Sequence, residues 1–158
     1  MQPLSNGKSF PQLKVPAVSG GVISLPEDLT GSYGVILFYR GSWCPYCNAQ
    51  LASFGRAHQA LQEADIKVIA LSVDDETTSA ALVTKHRLPF PVGHSADAAE
   101  LAAATGAFMN DEPPYLQSTG FVLAPDGTVL TAVYSSGAIG RLVVDDVVGF
   151  VRYVTAHD

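Results

Sequence analysis

The 158-residue sequence predicts an α/β fold, a central mixed β-sheet flanked by helices, and three observations carry that expectation. Val35–Tyr39, the helical pattern that follows it and Lys67–Val73 read as a βαβ unit. The second strand of that unit, Val68-Ile-Ala-Leu-Ser-Val73, is apolar almost throughout, as a parallel strand covered on both faces must be. Nearer the C-terminus, Gly120–Ala124 and Thr128–Tyr134 alternate around Pro125-Asp-Gly127, the pattern of an antiparallel hairpin. Joined in one sheet, as expected, these parallel and antiparallel pairs would make it mixed.

In chain order, the opening is irregular and rich in proline (Pro3, Pro11, Pro16), and Gly20–Leu25 reads as the second arm of a small N-terminal β-hairpin. After the strand Val35–Tyr39, a helix is expected from Cys47 to about Glu63, because Leu51, Phe54, His58 and Leu61 recur at helical spacing. Thr77–His86 is the next helix, started by Asp74-Asp75-Glu76 and stopped before Pro89. Ala96–Thr105 is a short helix closed by Gly106, and a terminal helix runs from about Val144 to Thr155.

A balance of 47% hydrophobic to 15% charged residues excludes a disordered chain, and the length suits one well-buried domain over residues 1–158. The net charge of −6, with nine scattered lysines and arginines, offers no basic face for a phosphate backbone or anionic lipid. Neither nucleic acid nor a membrane is therefore an expected partner. Met1–Lys8 contains no basic stretch leading into an apolar one, and no run reaches the roughly 18 apolar residues of a membrane span. A cytoplasmic setting is the expectation.

The chemistry-bearing segment is Trp43-Cys44-Pro45-Tyr46-Cys47, which holds both cysteines of the chain and falls where a central strand gives way to a helix. Unpaired N–H groups and the helix dipole favour a thiolate there. As a staple the pair does little: closing so short a loop removes about 2 kcal/mol of unfolded-state entropy, against about 3 kcal/mol for a 15-residue loop. Zinc is not expected, because a structural site takes four ligands and His58, His86, His94 and His157 supply no second pair at ligand spacing. An inert buried pair leaves Pro45 and Trp43 as odd choices for a plain helix start. A redox dithiol, without metal or other cofactor, is the leading reading.

The order of elements, with a Cys-x-x-Cys after the first central strand, resembles the thioredoxin-like fold. Beyond the motif, Val68-Ile-Ala-Leu-Ser-Val-Asp74, Lys85-His-Arg-Leu-Pro-Phe-Pro91 and Gly120-Phe-Val-Leu-Ala-Pro-Asp-Gly127 resemble the corresponding stretches of peroxiredoxins, the alkyl hydroperoxide reductase/thiol-specific antioxidant family. The likeness runs from about Leu13 to Val154. The family's Pro-x-x-x-Thr-x-x-Cys signature, laid from Phe38-Tyr39, puts Arg40 at the Pro, Cys44 at the Thr and Cys47 at the peroxide-attacking Cys. Gln50 matches the polar residue often found three positions later. Where the family carries a catalytic Arg before the strand near Gly120, this chain has Gln117-Ser118-Thr119, with Thr119 at the corner that is a cis-proline in thioredoxins. The resemblance implies a thiol-dependent antioxidant enzyme with a disulfide or hydroperoxide substrate. Its reductant would be a thioredoxin-like or low-molecular-weight thiol, and a homodimer stays open.

Lowering a thiol pKa from about 8.5 to about 7 raises the thiolate fraction roughly fifteenfold at neutral pH, and the loss of nucleophilicity leaves a net gain of about threefold. Fast peroxide reduction then depends on donors to the developing charge, and the family's Thr and Arg are absent from their matched positions. Disulfide exchange demands less and is the favoured form, with Cys44, expected to be the more exposed, attacking and Cys47 resolving. In peroxiredoxin-type hydroperoxide reduction the roles reverse: Cys47 attacks and Cys44 resolves. A catalytically silent binding module is the third reading.

Arg40, Trp43, Pro45, Tyr46, Gln50 and Thr119 are the residues expected to shape the site. Arg40 reads equally as a donor to a thiolate or peroxide and as a structural salt bridge, and Trp43 and Tyr46 as a docking surface or a packing lid. Arg141 is expected to be a solvated residue before the last helix rather than a spatial substitute for the missing arginine. His58 is expected on the apolar helix stripe, and His86 and His94 in loops.

Overall fold

The computed structural model of the protein describes residues 2–157. Two short strands, β1 (Leu13–Pro16) and β2 (Val22–Leu25), form the N-terminal hairpin, with Leu13 opposite Leu25. The chain continues through β3 (Tyr33–Phe38), α1 (Pro45–Arg56), α2 (His58–Glu63), β4 (Ile66–Leu71), α3 (Glu76–His86), β5 (Val92–Gly93) and α4 (Ala98–Thr105). It ends with β6 (Met109–Asp111), β7 (Pro114–Leu116), β8 (Thr119–Leu123), β9 (Val129–Tyr134) and α5 (Val144–Ala156). The central sheet has the order β5-β4-β3-β8-β9: β3 runs parallel to β4 and antiparallel to β8, so the sheet is mixed.

Period-two alternation along β3 divides the core. Val35 and Leu37 face Leu51 and Phe54 of α1 and Val147 and Val151 of α5. Ile36 and Phe38 lie in the other layer, with Leu13, Val15 and Ile23 of the hairpin, Leu101 of α4 and Phe121 of β8. The cysteines belong to the first layer. Helix starts follow side-chain chemistry: Asp75 accepts from the Thr78 N–H at 2.8 Å, and Asp97 from the Glu100 N–H at 3.1 Å. Gly106 ends α4 at φ +81°, a conformation that favours glycine. Among the described residues no helix is long and apolar enough to cross a membrane.

Three features depart from the expected elements. The helix over 47–63 is two helices, starting at Pro45 and kinked at Ala57 (φ −91°, ψ 14°). Gly55 is a weak helix former beside the kink, and the turn lets Leu61 of α2 enter the same core as Phe54. The edge strand β5 has only two residues, too few to show a period. The β6–β7 hairpin contains Pro113 and Pro114, which read as loop in a sequence.

Gly120 on β8 supports the loop before α5: a Cβ there would meet Leu142 Cδ1 at 2.6 Å and Cγ at 2.9 Å. Gly120→Ala is expected to cost about 1–3 kcal/mol by overpacking, read as a lower urea midpoint.

Candidate active site

Cys44 is the N-cap of α1, with extended backbone (φ −92°, ψ 114°), and Pro45 takes the first helical position, where a missing N–H is no loss. Cys47 then falls one turn in. Its N–H, one of the amides a helix start leaves unpaired, donates to Cys44 Sγ at 3.3 Å. The sulfur thus acts as a serine or aspartate oxygen does at other helix starts. The two sulfurs lie 2.7 Å apart as free thiols, with the Cys47 thiol donating to Cys44.

Two guanidinium groups converge on this pair, one per sulfur. Arg40, at the end of β3, donates its backbone N–H to Cys47 Sγ at 3.4 Å and Nη1 to Cys44 Sγ at 3.8 Å. Its Nε donates to Gln117 Oε1 at 2.9 Å, and its Nη2 to the Tyr115 hydroxyl at 3.3 Å. The guanidinium carbon is 4.8 Å from the Trp43 ring centre and 5.4 Å from that of Tyr115. Gly41 permits this arrangement, since a Cβ there would collide with the Trp43 indole. Arg141, in the loop after β9, donates Nη2 to Cys47 Sγ at 3.4 Å, Nη1 to Gln50 Oε1 at 2.7 Å and Nε to the Ala138 carbonyl at 2.9 Å. Gln50 donates in turn to the Leu142 carbonyl at 2.9 Å, fixing the loop to α1.

These contacts split the two thiols. Burial pushes the Cys44 thiol up, but donation from the Cys47 thiol, the Cys47 N–H and Arg40 outweighs it and holds Cys44 below its ordinary value. Burial pushes the Cys47 thiol up too, its donation to Cys44 adds to that, and the Arg40 N–H and Arg141 offset only part of it. When the pair gives up one of its two protons, the charge therefore rests on Cys44 and the remaining proton on Cys47.

The segment before Cys44 is tied to the rest of the fold. Asp74 Oδ2 accepts from the Ser42 N–H at 2.8 Å. Asn48 Nδ2 donates to the carbonyls of Ser42 and Cys44, both at 2.8 Å, and its Oδ1 lies 2.6 Å from His86 Nε2. Burial holds the Asp74 carboxyl above its ordinary value. A carboxyl raised in the folded state contributes stability at acid pH and loses it as pH rises through the folded pKa. Asp74→Asn keeps an acceptor for Ser42 and removes the charge. The variant is expected to be more stable than the parent near neutral pH and to lose that advantage in mild acid, as measured by urea midpoints.

Of the residues expected at the site, Cys44, Cys47, Arg40, Trp43, Pro45 and Gln50 are brought together as described. Tyr46 is 56% exposed on the first turn of α1. Thr119 is buried opposite Phe38, and its hydroxyl donates to the Gln117 carbonyl. Three expectations change. Neither cysteine has exposed surface, so Cys44 is not the more open of the two; its sulfur lies beneath Arg40. Arg141 is not a solvated residue, because the loop after β9 folds back onto α1 and places it on Cys47. Donors are therefore present at both sulfurs despite the unmatched positions. Tyr115 and Gln117 are not legible in the sequence as contacts of Arg40: Tyr115 lies in the β6–β7 hairpin, which carries no sequence period, and Gln117 follows it, in the stretch where the one signal is an unmatched arginine.

A family model described as the AhpC/TSA family matches residues 6–132. The alkyl hydroperoxide reductase C of Mycolicibacterium smegmatis is 27% identical over 156 residues, covering 87% of this chain and 78% of that protein. A peroxiredoxin of Methanothermobacter thermautotrophicus is 25% identical over 143 residues, covering 85% of this chain and 66% of its relative. Among solved structures, Mycobacterium tuberculosis AhpC superimposes with a TM-score of 0.82 at 20% identity, over 99% of this chain and 96% of that one, a likeness of fold.

Proposed function

This chain belongs to the AhpC/TSA family and is a thiol oxidoreductase, and on that premise we propose that it reduces hydroperoxides through the Cys44/Cys47 couple. Cys47 attacks and Cys44 resolves. The observation that carries this reading is the donor set on Cys47: the Arg40 N–H and Arg141 Nη2, each at 3.4 Å. Both groups stabilise a Cys47 thiolate, and they stand beside the sulfur that a peroxide oxygen must approach, where donors to the developing charge are needed. Burial of both sulfurs adds support, since a small oxidant needs a narrower opening than a protein disulfide does.

The cycle follows from the shared proton. Transfer across the 2.7 Å between the sulfurs moves the charge to Cys47. Its thiolate attacks the terminal peroxide oxygen, the O–O bond breaks, and the departing alkoxide takes the proton from Cys44 to leave as alcohol. Cys47 is now a sulfenic acid and Cys44 a thiolate. Cys44 attacks the Cys47 sulfur, hydroxide leaves, and the disulfide forms. A thiol reductant, thioredoxin-like or of low molecular weight, restores the dithiol by exchange, which a reducing cytoplasmic setting favours.

Disulfide exchange with Cys44 attacking is the second reading. It is favoured by the lowered Cys44 pKa and by the exposure of Trp43 (54%) and Tyr46 (56%) beside it. Stopped-flow mixing of the reduced protein with a hydroperoxide and, separately, a model disulfide distinguishes them, with Trp43, the one tryptophan of the chain, as reporter. The peroxide is expected to react with a rate constant above about 10⁴ M⁻¹s⁻¹, within the range of ordinary enzymes. A faster reaction with the disulfide would replace the first reading by the second.

A further inference from the structure

The two guanidinium groups do not donate to the same sulfur, and that asymmetry carries an inference about the order of events. We propose that Arg40 is a catalytic residue of the second step, holding Cys44 as the resolving thiolate, while Arg141 serves the attack at Cys47. The assignment rests on the hydroperoxide reading above.

Arg40 is held in one orientation by its side-chain partners. Nε is engaged by Gln117 at 2.9 Å and Nη2 by Tyr115 at 3.3 Å, which leaves Nη1 directed at Cys44 Sγ, 3.8 Å away. Trp43 and Tyr115 cover the guanidinium and meet each other edge to face, with ring centres 5.0 Å apart. The two rings hold the half-buried cation in place beside the sulfur. Arg141 is committed as firmly to the other sulfur, through Cys47 Sγ, Gln50 and the Ala138 carbonyl. Gln117 belongs to the stretch 117–119 where the resemblance to peroxiredoxins implies an arginine, and it anchors a guanidinium that comes from the residues just after β3 and lands on Cys44.

The consequence is a trade between the two steps. A cation on Cys44 draws the shared negative charge away from Cys47, which opposes attack on peroxide. After the alkoxide has taken the proton from Cys44, the same cation stabilises the thiolate that must attack the sulfenic sulfur and expel hydroxide. Removing Arg40 therefore moves the two rates in opposite directions. A merely structural role would slow both.

The test uses the full-length reduced protein mixed with excess hydrogen peroxide and quenched at intervals. Mass spectrometry follows Cys47 sulfenic acid, trapped with dimedone, and the Cys44–Cys47 disulfide. In Arg40→Gln, sulfenic acid is expected to form faster than in the parent, disulfide formation to slow by about threefold, the roughly tenfold loss of thiolate for one pKa unit offset in part by higher nucleophilicity, and sulfinic acid to accumulate. Arg40→Lys keeps the charge without the planar fork and should fall between. In a Cys47→Ser background, the pH midpoint of Cys44 alkylation by iodoacetamide should rise when Arg40 becomes Gln, with no oxidant involved. Both rates falling together, a disulfide rate within about twofold of the parent, or an unmoved alkylation midpoint would each overturn the assignment. If the parent forms neither sulfenic acid nor disulfide with peroxide, the hydroperoxide reading fails and the step assigned to Arg40 falls with it. If the parent reacts and Arg40→Gln resolves normally, the inference fails alone.

Discussion

Cys47→Ser is expected to abolish peroxide reduction, a loss of about 10⁴-fold or more, as when covalent catalysis loses its nucleophile. The remaining Cys44 lies under Arg40 without Arg141 on its sulfur, so it does not take over the attack. Cys44→Ser is expected to behave differently: it should consume one equivalent of peroxide, stop at a sulfenic acid on Cys47 and fail to turn over. Peroxide consumption in the presence of a dithiol reductant, together with single-turnover mass spectrometry, separates the two. Equal loss in both variants at the first turnover would mean that the thiols act as one nucleophile rather than as attacker and resolver.

Arg141→Gln is expected to lower the second-order rate constant for peroxide by about 10²-fold, the effect of removing one preorganised donor from a developing charge. Arg141→Lys should recover only part of that. A single ammonium cannot reach Cys47, Gln50 and the Ala138 carbonyl together as the guanidinium does. Thermal unfolding of both variants should stay close to the parent, which would place the loss in chemistry. A rate within about threefold of the parent would remove Arg141 from the mechanism, since thiolate formation alone is worth about that factor.

How much of this was legible in the chain depends on the range of each signal. The βαβ unit and the hairpin around Pro125-Asp-Gly127 announce themselves by local period, and both form as expected. The dithiol at a strand-to-helix junction was equally local: Pro45 and the cap role of Cys44 follow from neighbours in sequence. The guanidiniums were not local. Arg141 reaches Cys47 from 94 positions away. Nothing in Gly140-Arg-Leu142 states that the loop folds onto α1; that outcome depends on Gly120 leaving room for Leu142, and on Gln50 holding the Leu142 carbonyl. Gln50 is legible as a site residue from its place three positions after Cys47, whereas its partner Arg141 is not. The exposure expected of Cys44 failed for the same reason, since its cover is built by Arg40 with side chains of the distant β6–β7 hairpin and the residue after it.

The central claim, that Cys44 and Cys47 cycle between dithiol and disulfide during reduction of a hydroperoxide, is tested most directly on the unmodified protein. Reduced protein is mixed with one equivalent of hydrogen peroxide and digested under acid quench, and the peptide spanning both cysteines is weighed. The expected result is near-complete conversion to the intramolecular disulfide, two hydrogens lighter than the dithiol, returning to the dithiol when a thiol reductant is added. Two free thiols persisting after excess peroxide would contradict it.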